Sequence, residues 1–147
     1  FAFSQCCATI ETISQQWQGG IGVKIRESAE NYLETILILQ KRSGQVRSID
    51  IANELSFSKP SVSVAMKNLR LSGYVEIDAD GFLTLTDSGR AIAERMYERH
   101  TLLTQWLTRL GVDEKTAAED ACRIEHVISA QTFATLKSHV SGEKKAE

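Results

Sequence analysis

A single proline, Pro60, stands in the whole chain, and it opens an apolar-periodic segment instead of interrupting one. Proline breaks a helix interior but is tolerated in the first helical turn, where its missing N–H has no partner to lose. A chain this free of breakers, and rich in Leu, Ile and Ala, is expected to be mainly α. Hydrophobic residues make up 42% of it and charged residues 24%, enough apolar material to bury a core, so disorder is not the default. No apolar run approaches the roughly 20 residues of a membrane span, and no basic stretch leading into an apolar one opens the chain, so neither a membrane segment nor a secretory signal is expected. Cys6, Cys7 and Cys122 are odd in number and form no CxxC pair. That argues against a disulfide scaffold or zinc ribbon and for a reducing setting such as the cytoplasm.

Residues 1–23 differ in character from the rest of the chain. Glu11 is the only charged residue before Val23, and Gln18-Gly19-Gly20-Ile21-Gly22 marks a break. The expectation is a leader, with the native start near Val23 because bacterial valine codons can initiate, or an extra N-terminal helix over residues 8–18. Ser28 then reads as the N-cap of a helix over 29–42, with Tyr32, Leu33, Ile36, Leu37 and Leu39 as its apolar face. Ser48 caps a short helix over 49–55. The turn Ser56-Phe57-Ser58-Lys59-Pro60 leads into a helix over 60–71 that ends at Ser72-Gly73. Residues 74–78 and 82–85 alternate as two strands around the Asp80-Gly81 hairpin signal. Thr86 caps a long helix over 87–110, ended by Gly111. Separate helices are expected over 113–122, around Glu125 and over 132–140, before a charged tail.

Helix, helix, turn, helix, hairpin is the order of a winged helix-turn-helix. In that unit the second helix of the pair enters the major groove of double-stranded DNA, its N-terminal residues reaching base edges. Here it begins Ser58-Lys59-Pro60-Ser61-Val62-Ser63, whose small hydroxyl side chains permit close approach to phosphates and bases. Val62, Ala65, Met66 and Leu69 form its inward stripe. Lys59, Ser61, Ser63, Lys67 and Arg70 lie elsewhere on it, and Lys41, Arg42 and Arg47 add positive charge nearby. The whole chain carries −2, with a pI near 6.0, so any duplex-binding face must be local. The residues assigned to DNA are Arg47, Ser58, Lys59, Pro60, Ser61, Ser63 and Lys67.

The second half carries Cys122-Arg123-Ile124-Glu125-His126. Positions i, i+3 and i+4 share a helix face, so Cys122, Glu125 and His126 point the same way. Thiolate, carboxylate and imidazole together suit a first-row transition metal. Asn31 and Glu34 on the first helix are also i and i+3, and His100 supplies another imidazole from the long helix. Spacing alone leaves each of these groups open to a plainer role: a polar helix face for Asn31 and Glu34, a small buried residue for Cys122.

Over residues 28–140 the chain resembles the diphtheria-toxin-repressor family, which includes iron-dependent repressors and manganese transport regulators. The resemblance is carried by Glu30-Asn31-Tyr32-Leu33-Glu34-Thr35-Ile36, by Ser58-Lys59-Pro60-Ser61-Val62-Ser63 and by Leu85-Thr86-Asp87-Ser88-Gly89-Arg90. It continues through Arg99-His100-Thr101-Leu102-Leu103, Leu110-Gly111-Val112-Asp113 and Ala121-Cys122-Arg123-Ile124-Glu125-His126-Val127-Ile128-Ser129. It implies a winged helix-turn-helix over 24–86, a helical dimerisation and metal-binding domain over 87–141, a tail over 142–147, and a short form without an SH3-like third domain. It places Asn31, Glu34, His100, Cys122, Glu125 and His126 at metal-ligand positions. Cys122 matches the iron-type members, where manganese regulators carry glutamate; Glu34 is manganese-type; Asn31 departs from both, which use aspartate or methionine there. Positions that supply a second metal site in iron-type members read Thr104 and Ala118 here. The implied ion is Mn²⁺ or Fe²⁺, with Zn²⁺ or Co²⁺ taking the same donors in vitro.

The implied function is a metal-dependent transcriptional regulator of metal-ion homeostasis, a repressor that binds operator DNA as a homodimer, with no catalytic activity, membrane partner or small organic substrate. An ion held by both the front helix and the Glu-His helix would tie the halves together and set the spacing of the two recognition helices. A metal-blind winged-helix module that binds DNA or protein stays open beside it, favoured by Asn31. A metalloenzyme with Glu125 as base lacks HExxH and any nucleophile–base pair, and leaves the helix-turn-helix unexplained.

Overall fold

Leu33, Ile36 and Leu37 recur at helical spacing and are buried, and they are the spine of the first of two units into which the chain divides. The structure, a computed structural model, describes residues 23–142; the leader expectation, the helix over 8–18 and the end of the tail fall outside the described residues. Helix α1 spans Val23–Ser43, α2 Ser48–Leu55, α3 Lys59–Leu71, β1 Val75–Ile77, β2 Leu83–Leu85, α4 Asp87–Arg109, α5 Glu114–Val127 and α6 Ala130–Val140. The boundary between the units falls inside α4, between Met96 and Tyr97.

In the first unit, α1 packs on α2, α2 on α3, and a two-stranded antiparallel sheet comes next, with Val75 opposite Leu85 and Ile77 opposite Leu83. Ile51, Leu55, Val62, Met66, Val75 and Leu83 close the core, each almost fully buried. Each such side chain contributes about 1.5–3 kcal/mol of burial free energy. Ala65 is only half-buried, and Met66 takes the inward place beside Val62 and Leu69. The turn of the helix pair is held by Ser56 at φ 56°, by the Phe57 N–H donating to the Ala52 carbonyl at 3.1 Å, and by Tyr32 set edge-on to Phe57 at 6.1 Å. Pro60 lies in the first turn of α3, as its geometry requires, and the Ser58 side chain accepts from the Ser61 N–H.

At the hairpin turn the Asp78 carboxylate accepts from the N–H groups of Asp80 and Phe82, both at 2.9 Å, and Gly81 takes φ +83°, open to glycine. The hairpin does not hang free. The Leu83 N–H donates to the Val46 carbonyl at 2.7 Å, Gln40 donates to the Leu83 carbonyl, and Arg47 bridges to Phe82. Thr86 ends the wing: its hydroxyl donates to the Gly73 carbonyl and accepts from the Gly89 N–H.

In the second unit, α4 continues to Arg109 and leads into α5 and α6. Asp113 caps α5, its carboxylate accepting from the Thr116 N–H at 3.1 Å, and Ser129 caps α6 in the same manner. Lys137 of α6 pairs with Glu98 of α4, and Arg109 donates to the Val140 carbonyl. Phe133 is the buried anchor of α6.

Three sequence expectations need correction. Ser48 does not cap α2 but lies in its first turn; the N-cap is Arg47, whose N–H donates to the Asp50 carboxylate at 2.8 Å, so the helix start is closed from inside by an acidic residue and not by a serine hydroxyl. The first helix begins at Val23 and not at a Ser28 cap, because Lys24-Ile25-Arg26-Glu27 holds nothing that opposes helix and Ser28 is tolerated inside it. The helices expected over 113–122 and around Glu125 are one helix, α5, since Cys122-Arg123-Ile124 contains no breaker.

Candidate metal centre and nucleic-acid interface

Cys122, Glu125 and His126 sit in the last two turns of α5 on one face, as their spacing dictates. Each offers a donor atom, and the three atoms lie within 4.8 Å of one another. Cys122 and Glu125 are buried, and the His126 side chain is 6% exposed. His100 reaches the same carboxylate from α4: its Nδ1 lies 3.0 Å from Glu125 Oε2, while His126 Nε2 lies 3.4 Å from Glu125 Oε1. Two imidazoles thus flank a carboxylate that has no contact with solvent.

The donor set can be tested against a metal. Donors bound at about 2.0–2.3 Å around one ion must lie about 3–4.5 Å apart. A thiol, a carboxylate and an imidazole gathered within 4.8 Å and shielded from water come close to that spacing, and their mixed softness suits Mn²⁺, Fe²⁺, Co²⁺ or Zn²⁺ better than Mg²⁺ or Ca²⁺. The residues fit the ion that the sequence implies. Asn31 and Glu34 are placed one turn apart on α1 in the first unit, both buried, and the Asn31 main-chain carbonyl accepts from the Thr35 hydroxyl at 2.8 Å. A buried carboxylate is costly unless something compensates its charge.

In the first unit, α3 carries Lys59, Lys67 and Arg70 and no acidic residue over its 13 positions. Ser58, Lys59, Pro60, Ser61, Ser63 and Lys67 are all exposed, as a groove-reading surface requires. Arg47 is exposed and its guanidinium lies 4.3 Å above the centre of the Phe82 ring, a cation–π contact that restrains its direction. Arg42, in contrast, directs both terminal nitrogens to the Glu54 carboxylate at 3.0 and 3.3 Å, so its charge is already matched.

Three residues of these sites are not among those the sequence singles out. Phe82 supports Arg47. Val64 is 59% exposed on α3, where an apolar side chain has no packing role. Arg99, beside His100, is buried and donates to the carbonyls of Glu125 and Ile128. A signal for Arg99 did exist: Ala93, Met96 and Leu103 are buried on α4, and Arg99 and His100 occupy the turn where that apolar stripe should continue.

The family described as "Iron dependent repressor, N-terminal DNA binding domain" matches residues 24–82, and "Iron dependent repressor, metal binding and dimerisation domain" matches 86–144. An HTH-type transcriptional regulator of Methanocaldococcus jannaschii, itself uncharacterised, is 33% identical over 113 residues, covering 76% of this chain and 90% of that one. The HTH-type transcriptional regulator MntR of Lysinibacillus sphaericus is 37% identical over 102 residues, covering 69% of this chain and 73% of that one. Among solved structures, a manganese-dependent transcriptional repressor in complex with manganese aligns with a TM-score of 0.70 at 30% identity, covering 77% of this chain and 52% of that one. IdeR of T. acidophilum aligns with a TM-score of 0.68 at 26% identity, covering 76% and 53%. The chain therefore spans about half the length of these solved structures. Among the described residues no helix is long and apolar enough to cross a membrane.

Proposed function

Because this chain belongs to the iron-dependent repressor family, we propose that it is a metal-responsive transcriptional repressor that binds double-stranded operator DNA as a homodimer when Mn²⁺ or Fe²⁺ is held, and so controls metal-ion homeostasis. The observation that carries this reading is the buried cluster of Cys122, Glu125 and His126, three donors of transition-metal type within 4.8 Å.

On this reading Cys122, Glu125, His126 and His100 are ligands, with Asn31 and Glu34 as the ligands contributed by α1. The support for the α1 pair is chemical: two buried oxygen donors one turn apart, at positions that the family resemblance assigns to the metal. An ion held by these residues would supply concentrated positive charge. Cys122 and Glu125 supply the compensating negative charge, and exclusion of water by the surrounding helices keeps that attraction strong. Residues 24–86 serve as the DNA-reading domain and 87–141 as the dimerisation and metal domain. Lys59, Lys67 and Arg47 neutralise phosphates, while Ser58, Ser61 and Ser63, with Pro60 fixing the start of α3, bring the helix close to base edges.

Metal and DNA are coupled only so far as the ligand-bound arrangement is the one that fits two half-sites about one helical turn apart. A coupling of about 1–3 kcal/mol changes DNA affinity roughly 5–150-fold. The test is selection of operator sequences from random DNA with and without Mn²⁺ or Fe²⁺, then gel shift of Glu125→Ala and His126→Ala. Loss of the metal dependence in both, with the fold retained, is the expected result. Undiminished metal dependence ends the ligand assignment. DNA binding by wild type that ignores added and chelated metal leaves only the metal-blind alternative.

A further inference from the structure

Arg99 is a charged residue in a place where charge is expensive. It is 9% exposed, sits on α4 immediately before His100, and lies in the second unit together with the whole Cys122–Glu125–His126 cluster. One of its terminal nitrogens, Nη1, donates to the Glu125 carbonyl at 2.9 Å and to the Ile128 carbonyl at 3.0 Å. Its guanidinium carbon stands 5.3 Å from the centre of the Phe133 ring on α6. These carbonyls belong to the C-terminal end of α5, where carbonyl groups have no intrahelical partner and a cation is favoured.

Neighbouring residues of one α4 turn therefore grip the same residue of α5 twice. Arg99 holds the backbone of Glu125, and His100 holds its carboxylate at 3.0 Å. The ring of Phe133 fixes the guanidinium plane from α6. A change in the direction of Arg99 would rotate the last turn of α5, and with it Glu125 and His126.

We propose that Arg99 is a positioning residue of the metal centre: it sets the orientation of the α5 end so that the Glu125 and His126 donors converge. This rests on the proposed metal-responsive function and goes beyond the ligand set. A rival account gives a distinct sign. If the buried charge of Arg99 acted on the ion chiefly through space, its removal would tighten binding, because like charges repel. If it acts by holding the helix end, its removal weakens binding. Outer partners of metal ligands are typically worth 10–100-fold in affinity.

The experiment is Co²⁺ titration of the full chain, monitored by calorimetry and by the visible absorption of the bound ion, on wild type, Arg99→Met and Arg99→Lys. Arg99→Lys keeps the charge and much of the stem but loses the planar fork, so it remains informative if Arg99→Met fails to fold. The expected result is at least tenfold weaker Co²⁺ binding in Arg99→Lys, with band positions and intensities altered because the donor geometry has changed, in protein whose far-ultraviolet circular dichroism matches wild type. Glu98→Gln, next in sequence and exposed, leaves the spectrum unchanged. Wild-type affinity and spectrum in Arg99→Lys overturn the positioning role and leave the metal-responsive function standing; so does tighter binding in Arg99→Met. A wild-type chain that takes up no Co²⁺ overturns both.

Discussion

Glu125→Gln separates the cost of a buried carboxylate from its use. In the native chain this carboxylate is fully buried and faces two imidazoles, at 3.0 and 3.4 Å. Glutamine keeps the shape, one acceptor oxygen and the packing, and replaces the second oxygen by a donor NH₂ that a neutral imidazole nitrogen can accept from. Without metal, the exchange costs about one hydrogen bond at most, about 1 ± 0.5 kcal/mol, and release from burying a charge offsets part of it. For a chain of this size each kcal/mol moves Tm by about 2–4 °C, so the metal-free Tm changes by less than about 6 °C. With metal the outcome inverts. An ion at a hundredfold excess over its Kd stabilises by about 2.7 kcal/mol, about 5–11 °C on the same scale. Glutamine removes the anionic donor, and most of that rise disappears. Thermal melts by circular dichroism with and without Mn²⁺, Fe²⁺ and Co²⁺ read both quantities. A variant that still gains the full wild-type increment refutes the assignment of Glu125 as a ligand. A variant that melts far below wild type in chelator shows that the carboxylate serves the fold itself.

Particular contacts elsewhere in the molecule carry four more expected outcomes. At Gly89, in the first turn of α4, a Cβ would overlap the Tyr74 carbonyl oxygen and stand 2.9 Å from its carbon. Overpacking of this kind costs about 1–3 kcal/mol, against the roughly 1 kcal/mol that alanine otherwise gains over glycine in a helix; Gly89→Ala should lower Tm, and an unchanged or raised Tm disproves the close approach. Ser63→Ala and Lys59→Ala should weaken operator binding in a filter assay while calorimetric metal affinity stays at wild type, and Lys59→Ala should reduce the salt slope of DNA binding by about one. Phe82→Leu removes the ring beneath Arg47 and should weaken DNA binding with little change in metal affinity, whereas equal DNA affinity would show that Arg47 needs no such support. The Asp113 carboxyl is held below the ordinary carboxylate range chiefly by the Thr116 side chain, and next by its N–H. Its contribution is therefore present above the ordinary carboxylate pKa and lost as pH falls through the lowered one. The Tm difference between wild type and Asp113→Ala should be constant near neutrality and shrink in acid below about pH 4; a difference that grows in acid contradicts the cap.

The chain's own order fixed whatever acts over a few residues. Ser58 and Pro60 start α3, Asp80-Gly81 turns the hairpin, and Cys122, Glu125 and His126 share a face, because a cap, a turn and a helical period are decided within one or two turns of backbone. Where no local signal exists, expectation and structure part. Nothing between Val23 and Ser28 announces a start, and nothing at Cys122-Arg123 marks an end, so a local reading makes α1 too short and splits α5 in two. Only tertiary structure decided that Arg42 spends its charge on Glu54, that Arg47 rests on Phe82, and that Arg99 and His100 close on Glu125 from 26 and 25 residues away. Side-chain pairings at that range depend on how helices pack, and packing is settled by the fit of the whole core, which no local stretch encodes. The donor types were written in the residues; their convergence was made by folding.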